Sequence, residues 1–181
     1  MQYTDVIKFW FEETSPEQRF VVDEEFDNKI RTKFQDTLER LVSGETAEWR
    51  SSPQGRLAEI IVLDQFTRNM FRGTPKAFAY DEIALSLAKE AVKLGIDKKL
   101  SGEQRYFIYM PYMHSESREV HREAIWFFLS LPFSKWWSWI SYEYKHKKII
   151  DRFGRYPHRN KILGRVPTPE EIEFLKSNPG F

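Results

Sequence analysis

Strict alternation of apolar and polar residues is almost absent from this chain, whereas helix punctuation recurs along it. Thr168-Pro169-Glu170-Glu171 places a hydroxyl at an N-cap, Pro at the first helical position and Glu at the third. Ser15-Pro16-Glu17-Gln18 repeats that grammar, and Ser101-Gly102-Glu103-Gln104 is a looser version. Gly44, Gly73, Gly95 and Gly154 each follow a helix-like run, where a glycine ends a helix most easily. The pattern predicts an all-α protein of seven to nine helices, near 4–12, 24–43, 54–72, 76–94, 102–110, 118–130, 135–153 and 169–176. The connections are short, so successive helices should pack as antiparallel hairpins. The longest non-helical stretch, 153–169, holds two Gly and three Pro.

At 181 residues the chain has the length of one domain, 1–181, and can bury a core without covalent staples. It has no Cys, which excludes disulfides, thiolate metal ligands and a cysteine nucleophile. Lys and Arg number 28 against 27 Asp and Glu, a balance that argues against a general nucleic-acid binder. The most apolar stretch, 125–140, is broken by Pro132 and Lys135, so no membrane span is expected. The opening MQYTDVIKFWFEE lacks a basic stretch and a small-residue cleavage site, and the expected location is cytoplasmic. The aromatic residues of 126–139 suit either self-association or the core.

Charge is unevenly spread. Residues 1–48 carry a net −6, and residues 145–165 carry eight Lys or Arg against Asp151 alone. The stretch 54–72 is apolar nearly all round at its start, with Leu57, Ala58, Ile61 and Val62. One to two turns later, the same faces carry Asp64, Gln65, Arg68, Asn69 and Arg72. Such a helix is central, and its polar end is predicted to be partly buried. Buried guanidiniums need acceptors, and Asp64–Arg68 is the only pair at helical spacing in this row. Two other segments offer partners: His114-Ser115-Glu116, and Arg155-Tyr156-Pro157-His158-Arg159-Asn160. The three segments are predicted to meet in space. His146 shares a helix face with Trp139, Tyr142, Ile149, Ile150 and Phe153, and burial there should keep it neutral. His121, on a face with Ile125 and Phe128, reads as a satisfied core histidine.

The strings LDQFTRNMFRGTPKAFAYD (63–81), YMPYMHSE (109–116), HKKIIDRFGRYPHRNKILGR (146–165) and TPEEIEFL (168–175) closely resemble a bacterial family catalogued as domain of unknown function nine-two-four. VIKFWFEE (6–13) resembles that family's opening segment. The resemblance implies an all-α fold of the tetratricopeptide-like, right-handed superhelical type, and it implies no activity. The chain departs from the family pattern at Thr67, where Pro is expected, and after Glu116.

Four readings of the polar cluster stay open. It could bind an anionic small molecule or carboxylate through Arg68, Arg72, Arg155 and Arg159, whose forks match such groups. It could belong to a peptide- or protein-binding superhelical module. It could form a hydrolase-like site in which His114 or His158 works with Glu116. Or it could be a structural clasp that pins the 153–167 loop. Asp64, His114, Glu116 and His158 lack a helix-spaced His pair, so no metal or cofactor is expected.

Overall fold

A computed structural model describes residues 1–178, and their side chains except at 133–137. The described residues form eight helices and no strand. Helix α1 (Tyr3–Lys8) continues as a π-helical segment, Phe9–Glu13, and α2 is Glu24–Val42. Helix α3 runs from Pro53–Ile60 through a π-helical segment, Ile61–Phe66, to Thr67–Met70. Then come α4 (Asp81–Lys93), α5 (Gly102–His114), α6 (Arg118–Leu129), α7 (Phe133–Phe153) and α8 (Pro169–Ser177). The chain divides into two compact units. The first is Met1–Arg72 with Lys76–Pro111, and the second is Gly73–Pro75 with the residues from Tyr112 onward.

The capping grammar is realised atom by atom. In α8 the Thr168 hydroxyl accepts from the Glu171 N–H at 3.2 Å, and the Glu171 carboxylate accepts from the Thr168 N–H at 2.7 Å. Ser15 and Gln18 form the same reciprocal pair at 3.3 and 3.2 Å, but on an isolated turn. Gly154 ends α7 at φ 69°, a left-handed conformation that a Cβ would disfavour.

Three boundaries differ from expectation. Pro111 lies inside α5, which runs on to His114. A proline removes one backbone donor, but its fixed φ is helical and the turns on either side remain bonded. The expected start of α4 at residue 76 is a separate 3-10 turn, Pro75–Phe78. Helix α3 ends at Met70, whose carbonyl accepts from Nε and Nη2 of Arg31 at 2.9 and 2.7 Å. Thr67, at the departure from the family pattern, donates its hydroxyl to the Leu63 carbonyl at 2.7 Å.

In the first unit α3 is the central helix, as its all-round apolarity requires. Every residue from Leu57 to Thr67 is buried. The two π-helical segments pack together: Phe66 meets Phe9 at 5.9 Å and Trp10 at 5.4 Å, and Phe34 closes on Phe66 at 4.6 Å. In the second unit α6 packs on α7, and Ile149, Ile150 and Tyr156 form a core with Phe153 and Phe174 against it. The expected core face of α7 is corrected at Tyr142, which is 50% exposed. Glu143 is buried instead, because it pairs with His121 of α6. Of the 126–139 aromatics, Trp126 is exposed and Phe128 is buried, while 133–137 lie outside the described side chains.

Gly55 on α3 marks a close approach. A Cβ there would sit 1.9 Å from the Trp49 carbonyl oxygen, a backbone atom that cannot swing aside. Gly55→Ala is therefore expected to destabilise the protein by about 1–3 kcal/mol, despite the better helix propensity of Ala. A urea unfolding midpoint at or above wild type would contradict this close approach.

Candidate functional site

The polar end of α3 is buried, as predicted, and its charges are matched within the first unit. Asp64 is fully buried and accepts from Gln65 Nε2 at 2.5 Å. Arg68 forms a fork on Asp81 at 3.0 and 3.1 Å and lies 3.4 Å from Asp64. Asp27 of α2 takes Nε and Nη2 of Arg72 at 2.5 and 2.8 Å and the Asn69 amide at 2.8 Å. Burial pushes the Asp27 carboxyl up, but these bonds outweigh it and hold it below the usual range. The helical wheel offers Arg72 no such partner: α3 ends before Arg72, and the carboxylate comes from 45 residues away.

The other two predicted segments meet in the second unit. Glu116 accepts from both Nη atoms of Arg165, at 2.7 and 3.0 Å, and from the Tyr156 N–H at 2.8 Å. Burial raises the Glu116 pKa, while Arg165 and that N–H lower it more, so the net shift is downward. Arg159 stacks over the Tyr156 ring at 4.6 Å and donates to the His114 carbonyl at 3.0 Å. Arg155 forks onto Glu171 at 2.6 and 2.8 Å, and Asn160 Nδ2 donates to the same carboxylate at 3.2 Å. The Arg155 fork, opposed by burial and assisted by the Thr168 N–H and Asn160, lowers the Glu171 pKa to about 2.

All four histidines of the chain, His114, His121, His146 and His158, belong to this unit, and Tyr156 neighbours three of them. Its buried ring lies 6.4, 5.7 and 5.5 Å from those of His121, His146 and His158. His121 reads as expected: fully buried, with Nδ1 2.7 Å from Glu143 and Nε2 2.9 Å from the Ser115 carbonyl. Burial raises the Glu143 pKa, with His121 opposing. His146 donates Nδ1–H to the Tyr142 carbonyl at 2.8 Å. Burial, reinforced by repulsion from the charged forms of His114, His121 and His158, lowers its pKa to about 3.

An open depression of about 610 Å³ adjoins this cluster. Pro157, Pro167, Ile172 and Leu175 give it apolar walls, and His158, Asn160 and Lys161 add polar groups. Lys161 is exposed and has no acidic partner among the described residues. No group of three His, Asp or Glu able to hold a metal occurs among the described residues. No described helix is long and apolar enough to cross a membrane.

Sequence reasoning missed Asp27, Asp81, Glu143, Arg165 and Glu171 as partners. A signal existed for two of them. Asp27 falls on the stripe of Ile30, Phe34 and Leu38, and Glu143 on that of Trp139, His146 and Ile150. A carboxylate on a buried stripe calls for a cation.

Fold and site together define an all-helical protein of two units, with Arg–carboxylate pairs in each and an imidazole-rich cluster in the second. The chain belongs to the family described as bacterial protein of unknown function (DUF924), which it matches over residues 6–179. It is similar to a solved protein of unknown function, ATU0120 from Agrobacterium tumefaciens. The two share 34% identity over 97% of each chain, with a TM-score of 0.90. No curated protein matches.

Two measurements test this site. Arg68→Met leaves the fully buried Asp64 without its cation, and stability should fall by roughly 3–5 kcal/mol. A loss below 1 kcal/mol would mean that the fork is not structural. His146 has its pKa lowered on folding, so its contribution is complete above about pH 6.5 and is lost as pH falls towards about 3. Wild type should therefore lose more stability than His146→Gln between those pH values. Parallel pH profiles would refute the half-buried neutral imidazole.

Proposed function

We propose that the protein binds a small anionic molecule with an apolar body, at the depression on the second unit. The observation that supports this most directly is Lys161, an exposed cation without an acidic partner among the described residues, on the rim of an apolar-walled depression. A carboxylate or phosphate meets Lys161, with the His158 imidazole as a second polar group. The apolar body covers Ile172, Leu175 and the two prolines.

The arginines of the α3 end suit a clasp better than a ligand site. Arg68 and Arg72 each hold a carboxylate with two nitrogens, so a ligand anion would have to displace a buried ion pair. The hydrolase-like reading also loses support. Glu116 is committed to Arg165, and the closest His–Glu contact, His121–Glu143, is fully buried and out of a substrate's reach.

Hexanoate should raise the melting temperature by a few degrees through mass action when present at many times its Kd. Acetate lacks the apolar body and 1-hexanol lacks the charge, so neither should match it. Lys161→Gln should lose the hexanoate effect while its own melting temperature stays near wild type. No hexanoate effect, or an effect that survives in Lys161→Gln, refutes the assignment.

A further inference from the structure

Phe20, Val21 and Val22 are three consecutive apolar residues in the connection between α1 and α2, and all three face solvent. Their exposures are 59%, 56% and 74%. Scattered exposed apolar residues are ordinary, but a continuous run of three is not. No described hydrogen bond uses the backbone N–H or C=O of Val21 or Val22, so main chain and side chains are both available to a partner. Arg19, directly before the run, is buried and committed to Glu103 and two backbone carbonyls, so the exposed flanking charges are Glu17 before the run and Asp23, Glu24 and Glu25 directly after it. An apolar run rimmed by one sign of charge has the form of a protein-interaction element.

Its complement lies on the same chain. The depression on the second unit has apolar walls and a cationic rim at Lys161. Pro157, His158, Asn160 and Lys161 of its lining belong to the basic stretch 145–165, whereas the apolar run falls within the acidic stretch 1–48. Half of the eight basic residues of that stretch are paired internally with acids: Lys147 with Asp151, Arg152 with Glu170, Arg155 with Glu171 and Arg165 with Glu116. Lys145 and Lys148 lie over the rings of Tyr142 and Tyr144, and Lys161 is the cation at the depression without an acidic partner among the described residues.

We propose that a second copy of this chain is the partner of the depression. Phe20–Val22 of one molecule seats on the apolar walls of the other, and Asp23 or Glu24 meets Lys161. This inference rests on the reading of the depression as a site for apolar anions, and it names the occupant. Apolar contact supplies the affinity, and the charges select the orientation and make the association salt-dependent. Each molecule carries one element of each kind, so the contact is head-to-tail.

Sedimentation velocity on the full chain, over a rising concentration series at low and high salt, tests it. The expected result is a mass that grows beyond the monomer with concentration, and less so at high salt. Val22→Asp and Lys161→Glu each change an exposed side chain, so both variants should keep the wild-type circular dichroism spectrum. Each should weaken association at least about tenfold. Combining Lys161→Glu with Glu24→Lys should restore part of it, and hexanoate should compete with it. A monomer at every concentration overturns the proposal, as does association indifferent to Val22→Asp and Lys161→Glu. If hexanoate still stabilises the monomer through Lys161, the binding reading stands and only the self-association fails. If hexanoate neither stabilises nor competes, and the chain stays monomeric, both fail.

Discussion

A guanidinium that leaves water must find acceptors, and the Arg–carboxylate pairs that answer this requirement organise both units. Helix α3 is buried along its length, yet its last turns carry Asp64, Arg68 and Asn69, with Arg72 just beyond. The first unit answers with Asp81 from the start of α4 and Asp27 from α2. The second unit uses the same device to hold an irregular stretch. Glu116 and Glu171 fix the segment between α7 and α8 through Arg165, Arg155, Asn160 and two backbone N–H groups.

Such pairs are poor sources of net stability, since desolvating both charges offsets most of their attraction. Their effect is on uniqueness. An apolar contact tolerates sliding, whereas a fork on a carboxylate is made in one geometry only. The turn at 157–159 and the loop after it bury few of their apolar side chains: Ile162 and Leu163 are half-buried, and Val166 and Pro167 are exposed. Anchoring by Glu116 and Glu171 sets Tyr156 among the histidines and places Asn160 and Lys161 at the depression. The polar clasp and the candidate binding site are therefore successive layers of one arrangement.

Burial sorts the polar groups by what they can do. His121 and Glu143 are sealed from solvent and bonded to each other, so they serve the interior. His146 is held neutral chiefly by burial, with three other imidazoles nearby adding to the effect. Lys161, in contrast, is exposed and has no acidic partner among the described residues. Unmatched chemistry at an accessible position is a better guide to binding than the density of charged residues, which is highest where the charges already cancel.

The sequence alone determined the helical class, because capping residues and 3.6-residue periodicity are local properties of the chain. It also determined that α3 is central and ends in buried polar groups, since an all-round apolar start leaves no solvent face to exchange for. It marked 109–116 and 153–165 as chemically unusual, and parts of these meet in the second unit. Tertiary structure decided the partners. Asp27 lies 45 residues from Arg72 and Glu116 lies 49 from Arg165, and no local rule selects one carboxylate among 27 acids at such separations. It also decided which cations stay unmatched, Lys161 among them, because that depends on how every other charge has been paired. The π-helical winding of α3 and the continuation of α5 through Pro111 belong there too, since neighbouring helices override the local preference of the backbone.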